Sequence, residues 1–235
     1  MKRISLLSAT AVFLIAASVF LITTTFSIST ASANGNGKLD EILDNMQKNA
    51  ASITTIYAKM EQLKRDLSIG GKPEQYSGEI FFKHAGKNND KVRINYFVPK
   101  GQTIWIAGDQ IILYQASIKQ AIFTSRRSAA SKGDEFAFVA TPYASVPELK
   151  RQYNIVYSGE EQSMAKLDLT PKGKSSVKQL TLWVDQSSWL PMKYQIVEAN
   201  SNQTTFILSG VKKNIVISDG MFKANLPGDT KKVDK

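Results

Sequence analysis

The chain has 235 residues, a formal net charge of +10 and no cysteine. This length suits one domain of ordinary size or two small ones, and the lack of cysteine excludes disulfides, thiolate metal sites, cysteine nucleophiles and a lipid-modified cysteine. The basic balance favours either an anionic partner or simply a soluble basic surface. Nucleic acid is not expected, because the lysines are spread along the chain and form no basic helix.

The N-terminal segment has the pattern of a secretory signal peptide. A basic pair opens the chain, a long uncharged apolar stretch follows, and Ala31-Ser32-Ala33 gives a small-x-small cleavage pattern. An uncleaved membrane anchor is the alternative, because the apolar stretch is long for a signal. We predict that residues 1–33 are removed and that residues 34–235 form a single domain outside the cytoplasmic membrane.

Apolar residues recur at helical spacing from Lys38 to Ser52. This stripe predicts one amphipathic helix whose apolar face covers another part of the protein. Ordinary core packing would explain the stripe, and so would a removable lid. The residues of such a lid are Leu39, Ile42, Leu43 and Met46.

Short segments rich in β-branched and aromatic residues fill most of the remaining chain. They are separated by turn sequences that contain glycine, proline or asparagine, and they predict the strands of a large antiparallel sheet or open barrel. After a first strand around Ile56–Met60, the predicted strands are Gly78–Lys83, Lys91–Val98, Gln102–Ala107, Gln110–Gln115, Lys119–Ser125, Gln152–Ser158, Met164–Thr170, Lys178–Asp185, Pro191–Ala199 and Thr204–Asn214.

Several predicted strands are apolar on both faces. Examples are Ile104-Trp105-Ile106 and Ile111-Ile112-Leu113-Tyr114. An antiparallel sheet with one face in water alternates more cleanly between apolar and polar residues. We therefore expect apolar neighbours on both faces of these strands, or a cavity lined by one face.

The sequence holds no familiar catalytic or metal-binding motif. His84 is the single histidine, and no nucleophile elbow, zinc-binding His-Glu-x-x-His, P-loop or calcium loop is present. The acidic pairs Asp134-Glu135 and Glu160-Glu161 are typical of solvated turns. A secreted sheet protein with surplus apolar strand faces is more consistent with a binding protein than with an enzyme. No cofactor and no metal are expected.

Seven short motifs stand in a distinctive order along the mature chain. They are Ile56-Tyr57-Ala58-Lys59-Met60-Glu61-Gln62, Gly78-Glu79-Ile80-Phe81-Phe82-Lys83, Val92-Arg93-Ile94-x-Tyr96-x-x-Pro99, Gly108-Asp109 followed by Ile112-x-Tyr114, Gln152-Tyr153-Asn154-Ile155, Leu169-Thr170-Pro171-Lys172, and Phe222-x-x-x-Leu226-Pro227-x-Asp229. Their order and spacing resemble the LolA family of periplasmic carriers of outer-membrane lipoproteins, over nearly all of residues 39–229.

The resemblance implies a mainly β fold, an incomplete antiparallel barrel of about eleven strands with helices over its concave face. Its hydrophobic cavity would shield the acyl chains of lipoproteins that cross the periplasm. A monomeric carrier would take cargo from an inner-membrane lipoprotein-releasing ABC transporter and deliver it to an outer-membrane lipoprotein receptor. The residues that we assign to the cavity lining are Val92, Ile94, Tyr96, Trp105, Ile112 and Tyr114.

The chain departs from the family pattern at the end of the second strand. The family often has Lys-Arg-Pro there, with an arginine that holds the helical lid closed, whereas this chain has Lys83-His84-Ala85. Relative to the family, the lid latch of this chain is therefore either absent or passed to His84 or to nearby Arg93.

Two other functions compete with a lipoprotein carrier. One is a periplasmic regulatory module that senses lipoproteins or lipids on an RseB-like fold, although such regulators usually carry a second domain. The other is a secreted hydrolase with an unfamiliar site built around His84.

Overall fold

The computed structural model describes residues 31–86, 89–131 and 145–234, with side chains from residue 36 onwards except at 130 and 131. These residues form three α-helices and twelve strands. The helices are α1 (Ala31–Ala51), α2 (Arg126–Ser131) and α3 (Val146–Gln152). The strands are β1 (Thr55–Asp66), β2 (Glu74–Lys83), β3 (Lys91–Val98), β4 (Gln102–Ala107), β5 (Gln110–Gln115), β6 (Gln120–Ser125), β7 (Tyr153–Glu161), β8 (Met164–Pro171), β9 (Val177–Asp185), β10 (Leu190–Glu198), β11 (Asn202–Lys213) and β12 (Lys231–Asp234).

All twelve strands belong to one open sheet, in the order β12-β6-β5-β4-β3-β2-β1-β11-β10-β9-β8-β7. Neighbouring strands are antiparallel except for β12, which runs parallel to β6. The short turns between the strands explain most of this order, because consecutive strands joined by short turns pair with each other. The predicted incomplete antiparallel barrel with helices is confirmed, with β12 as a twelfth strand.

The inner face of the sheet, which we define as the face covered by α1 and α3, carries the main core. Ile42 and Leu43 of α1 and Leu149 of α3 are buried against inner-facing strand residues. Burying each of these side chains contributes about 1.5–3 kcal/mol. The stripe that predicted the helix therefore faces the sheet, as its spacing requires.

The outer face of the sheet is covered by the segment that follows β11. Phe81 packs with Ile217 and Phe222, and Trp105 packs with Ala121 and has Leu226 against it. This cover explains why several strands are apolar on both sides. Both faces have apolar neighbours, which is the first of the two expectations stated above.

The predicted signal peptide lies almost wholly outside the described residues, so its cleavage stays a prediction. Helix α1 begins at Ala31. Among the described helices, none combines the length and apolar character that a membrane span requires.

Candidate ligand-binding cavity

The sheet splits open between β10 and β11. Strand β11 pairs with β1 from Asn202 to Lys213, with one register shift between Tyr57 and Lys59. It pairs with β10 only between Lys193↔Ile207 and Val197↔Gln203. A β-bulge between Pro191 and Lys193 interrupts the start of β10. Because a bulge bends a strand and raises its local twist, the start of β10 diverges from the end of β11.

A cavity of about 640 Å³ occupies this split. Its volume lies in the range of small-molecule and acyl-type ligand sites, roughly 300–1,000 Å³. Leu190 and Leu208, which are 6% and 5% exposed, belong both to the cavity wall and to the inner-face core. The cavity is therefore continuous with the apolar interior. The lining residues are Gln162, Met164, Asp185, Ser188, Leu190, Met192, Lys193, Ile207, Leu208, Val211 and Lys213.

The polar groups at the cavity mouth are already engaged with one another. Lys193 Nζ donates to Glu161 Oε1 at 3.3 Å and lies 3.9 Å from the centre of the Trp183 ring. Trp183 Nε1 donates to Glu161 Oε2 at 2.9 Å, and this hydrogen bond is the main cause that lowers the pKa of Glu161. The carboxylate therefore stays ionised at neutral pH and holds the lysine at the rim.

A second carboxylate of the mouth is fixed by the turn between β9 and β10. Asp185 Oδ1 accepts hydrogen bonds from Ser187 Oγ at 2.6 Å and from Ser188 Oγ at 2.7 Å. These two bonds lower the pKa of Asp185. Hydrogen-bonded polar groups therefore lie beside the apolar lining of the cavity, an arrangement suited to an amphiphilic ligand.

The four predicted lid residues lie where the helix meets the sheet. Ile42, Leu43 and Met46 are buried in the inner-face core, and Leu39 packs against it half-buried. The helical spacing of these residues was the signal that assigned their side chains to one apolar face. Their role as a removable lid stays a prediction.

Polar contacts hold α1 at its middle and near its C-terminal end. The amide nitrogen of Val146 donates to Gln47 Oε1 at 3.0 Å, and the Nζ atom of Lys150 lies 3.7 Å from Asp40 Oδ1. Near the end of α1, Lys213 Nζ donates to Asn49 Oδ1 at 3.3 Å. Because Lys213 also lines the cavity, its side chain connects the end of α1 to the cavity wall.

The six residues assigned to the cavity lining do not share one face of the sheet. Val92, Ile94 and Tyr96 are buried in the inner-face core, but the other three belong to the outer-face cluster beneath Leu226. Those three are Trp105, Ile112 and Tyr114.

The physical reason for this error is the register between strands. Ile94 lies opposite Ile104, so Trp105 lies opposite Arg93 and points to the outer face. Side chains alternate along a strand, so choosing the bulky member of each apolar run placed three residues on the wrong side. None of the six lines the cavity in the split.

The side chains of the two residues proposed as lid latch have partners outside α1. Arg93 points to the outer face, where it donates to Asn95 Oδ1 at 2.8 Å and to the carbonyl oxygen of Met221 at 3.1 Å. His84 Nδ1 lies 2.7 Å from Asp90 Oδ1 in an exposed pair. Arg93 therefore holds the outer-face segment and cannot also latch α1 on the inner face. The backbone N–H of His84 donates to the carbonyl oxygen of Thr54 at 2.8 Å, three residues after α1 ends, and its role as a latch stays a prediction.

Sequence reasoning missed the cavity itself. Its apolar wall comes from the start of β10 and the end of β11, for example Met192 and Val211. One signal was available, because Pro191 cannot donate to a strand ladder and so marks a bulge or an edge. Within the described residues no three acidic or histidine side chains converge as a metal site.

An open sheet wrapped around an apolar interior, with a helix across its inner face and a cavity in its wall, defines a class of β-sheet binding proteins. The model of the family described as outer membrane lipoprotein carrier protein LolA matches residues 51–225, and the chain belongs to this family. The resemblance drawn from the sequence motifs is thereby confirmed. No curated protein matches the chain significantly.

Solved structures share the fold at low identity. A domain described as an outer membrane lipoprotein-sorting protein from Vibrio parahaemolyticus has a TM-score of 0.51 at 14% identity, covering 83% of this chain and 98% of that one. An uncharacterized conserved protein from Thermus thermophilus has a TM-score of 0.51 at 13% identity, covering 84% and 99%. At such identities the likeness is one of fold alone.

Proposed function

We propose that the protein is a periplasmic carrier that binds the acyl chains of lipoproteins in the cavity between β10 and β11. It would receive cargo from an inner-membrane lipoprotein-releasing transporter and deliver it to an outer-membrane receptor, without catalysis. The single observation that carries this proposal is the continuity of the cavity with the apolar inner-face core beneath α1, in a chain of the LolA family.

The energetics of such a cavity suit a carrier. Each CH₂ group moved from water into an apolar site contributes about 0.8 kcal/mol, so ten of them contribute about 8 kcal/mol before the costs of association. This is enough for a useful complex without irreversible capture. Asp185 and Lys193, which line the cavity, would keep the polar part of the cargo in water while an acyl chain occupies the apolar lining.

Helix α1 is the element that we expect to yield to longer chains. Its apolar face occupies the space that a chain entering from the cavity would reach next, and Lys213 joins the end of the helix to the cavity wall. Displacement of α1 would exchange its own side chains for acyl chains on the inner face. Return of the helix would favour release.

A regulatory module that senses lipoproteins would use the same cavity. The two functions differ in release, because a carrier must pass its cargo to an acceptor while a sensor changes its contacts with a protein partner. Transfer of a bound lipopeptide to acceptor vesicles or receptor therefore separates them.

Filling the cavity is expected to weaken acyl binding without unfolding the protein. Val211 is half-buried in the cavity wall, and Val211→Trp would occupy the space of two or three CH₂ groups. At about 0.8 kcal/mol for each CH₂ group, we expect affinity for a diacylated lipopeptide to fall by about 15- to 60-fold, measured by titration calorimetry, with little change in Tm.

The matched control is Val156→Trp. Val156 lies on the edge strand β7, is 59% exposed and does not line the cavity, so its variant should bind as the parent does. Equal affinities for the Val211→Trp variant and the parent would contradict the proposed site, and equal losses in the two variants would show that the effect is unspecific.

A further inference from the structure

Exposed apolar side chains of the described residues cluster at one end of the sheet. Seven large apolar residues are exposed in the described part of the chain, and two of them, Val156 and Val216, lie elsewhere. The remaining five occupy the ends of strands and the turns between them. They are Leu67, Ile69, Phe97, Val98 and Ile118, and Ile69 is the most exposed of them at 82%.

The topology brings these five residues to one end. The turns β1–β2, β3–β4 and β5–β6 all lie at the same end of an antiparallel sheet, and successive turns are two strands, or about 10 Å, apart. The amide nitrogen of Ala116 donates to the carbonyl oxygen of Gly101 at 2.8 Å, which joins the second turn to the third. We call this end, residues 67–73, 97–101 and 116–119, the turn end.

The turns at this end are strongly basic, and so is the β8–β9 turn, which lies at the same end of the strands. Residues 67–73, 99–101, 116–119 and 172–176 contain five lysines and no acidic residue. Three carboxylates lie close by. Asp229 Oδ2 accepts from Lys119 Nζ at 2.6 Å, Asp66 Oδ1 accepts from the Ser68 amide at 2.8 Å, and Glu74, the first residue of β2, accepts from the Tyr76 hydroxyl. The five lysines are Lys72, Lys100, Lys119, Lys172 and Lys174.

We propose that the turn end docks on the surface of an anionic lipid bilayer. Apolar side chains at separate turn tips, each beside a lysine, can enter the boundary between head groups and acyl chains while the ammonium groups remain among the phosphates. Charge complementarity selects an anionic surface, because the turns carry lysines and no carboxylate of their own. The exposed apolar side chains also lie in separate turns, whereas a protein partner would cover one contiguous apolar patch.

Docking at this end fixes the orientation of the cavity. The start of β10 and the end of β11, which line the cavity, lie at the opposite end of the strands. A protein held by the turn end would therefore keep its cavity mouth away from that bilayer and open to a partner in solution. This inference does not depend on the nature of the cavity ligand.

A fluorescent reporter tests the contact at single positions. Because the chain has no cysteine, an environment-sensitive NBD group can be attached to the full-length protein at Ile118→Cys or, as a matched control, at Val216→Cys. We expect vesicles of phosphatidylcholine with about one third phosphatidylglycerol to shift the emission at position 118 and not at position 216. Pure phosphatidylcholine vesicles should produce a much smaller shift.

Lysine substitutions measure how much the positive charge of the turns contributes to vesicle binding. With the label at position 118, Lys72→Gln combined with Lys100→Gln should weaken apparent affinity for the anionic vesicles by roughly 25-fold, about fivefold for each lysine. The control is Lys59→Gln with Lys223→Gln, two exposed lysines outside the turn end, which should change affinity little. The proposal is overturned if position 118 stays in water on anionic vesicles, if positions 118 and 216 respond alike, or if both lysine pairs act equally. Acyl binding by the cavity would be unaffected by any of these outcomes.

Discussion

A cleavable cross-link between positions 40 and 150 is expected to block uptake of acylated cargo. Asp40 on α1 and Lys150 on α3 form an exposed pair with 3.7 Å between Oδ1 and Nζ, and their side chains are 70% and 51% exposed. Replacing both with cysteine introduces the only two thiols in the chain, and a short disulfide-containing bismaleimide would then tie α1 to α3. If acyl chains enter by displacing α1, uptake should fall by roughly tenfold or more, because only the open fraction binds.

Reduction of the linker provides an internal control for this experiment. Uptake should return once the linker is cut, while each single-cysteine variant treated with the same reagent should bind as the parent does. Uptake of long-chain lipopeptide that is unchanged by the closed link would show that α1 is ordinary core and that the cavity fills without it.

Gly78→Ala is expected to lower the free energy of unfolding by about 3 kcal/mol. A Cβ atom at Gly78 would lie 2.3 Å from the carbonyl oxygen of Asn95 and 3.2 Å from the Cα atom of Tyr96. Both atoms are backbone of the neighbouring strand β3, so neither can rotate away. The β2–β3 register also shifts between Ser77 and Gly78, and this irregularity requires the close approach.

The measurement is urea unfolding followed by circular dichroism, which gives the midpoint and the slope. The matched control is Gly37→Ala, because Gly37 lies in α1 and a Cβ atom added there would meet nothing within 4 Å. Alanine there should stabilise the protein by up to about 1 kcal/mol. A Gly78→Ala variant as stable as the parent would mean that β2 and β3 do not approach each other this closely.

The strand pattern was predictable because local chemistry determines it. The segments Lys91–Val98, Gln102–Ala107 and Gln110–Gln115 were predicted with the bounds that the structure shows. Glycine, proline and asparagine turns punctuate the apolar runs, and these residues supply the backbone angles of tight turns. The helix was predicted for the same kind of reason, although α1 begins several residues earlier than Lys38.

Features that depend on pairing between distant segments were not predictable. The terminal basic run containing Lys231 forms β12, which pairs with β6 through backbone groups and therefore leaves no apolar pattern. The short helix α2, Arg126–Ser131, was not predicted either. It follows β6, and residues 132–144 lie outside the described part of the chain.

To predict which residues of β4 and β5 point to each face of the sheet, the pairing between strands must also be known. A run such as Ile104-Trp105-Ile106 is apolar on both sides, and only its register with Ile94 shows which residues face the helix. The cavity depends on a bulge near Pro191, and a second irregularity lies in β11 where its register with Tyr57 and Lys59 shifts. Neither the bulge nor its effect on β11 can be read from apolar periodicity, which has the same form in paired and unpaired stretches.

Photo-cross-linking gives the most direct test of acyl binding in the cavity. A lipopeptide with a diazirine near the end of one acyl chain would be bound, irradiated and digested, and the modified residues located by mass spectrometry. If the acyl chain occupies the split between β10 and β11, adducts should form on Met192, Leu208 and Val211, which line it. Adducts confined to the outer face around Trp105 and Tyr114, or no saturable labelling at all, would contradict acyl binding at this site.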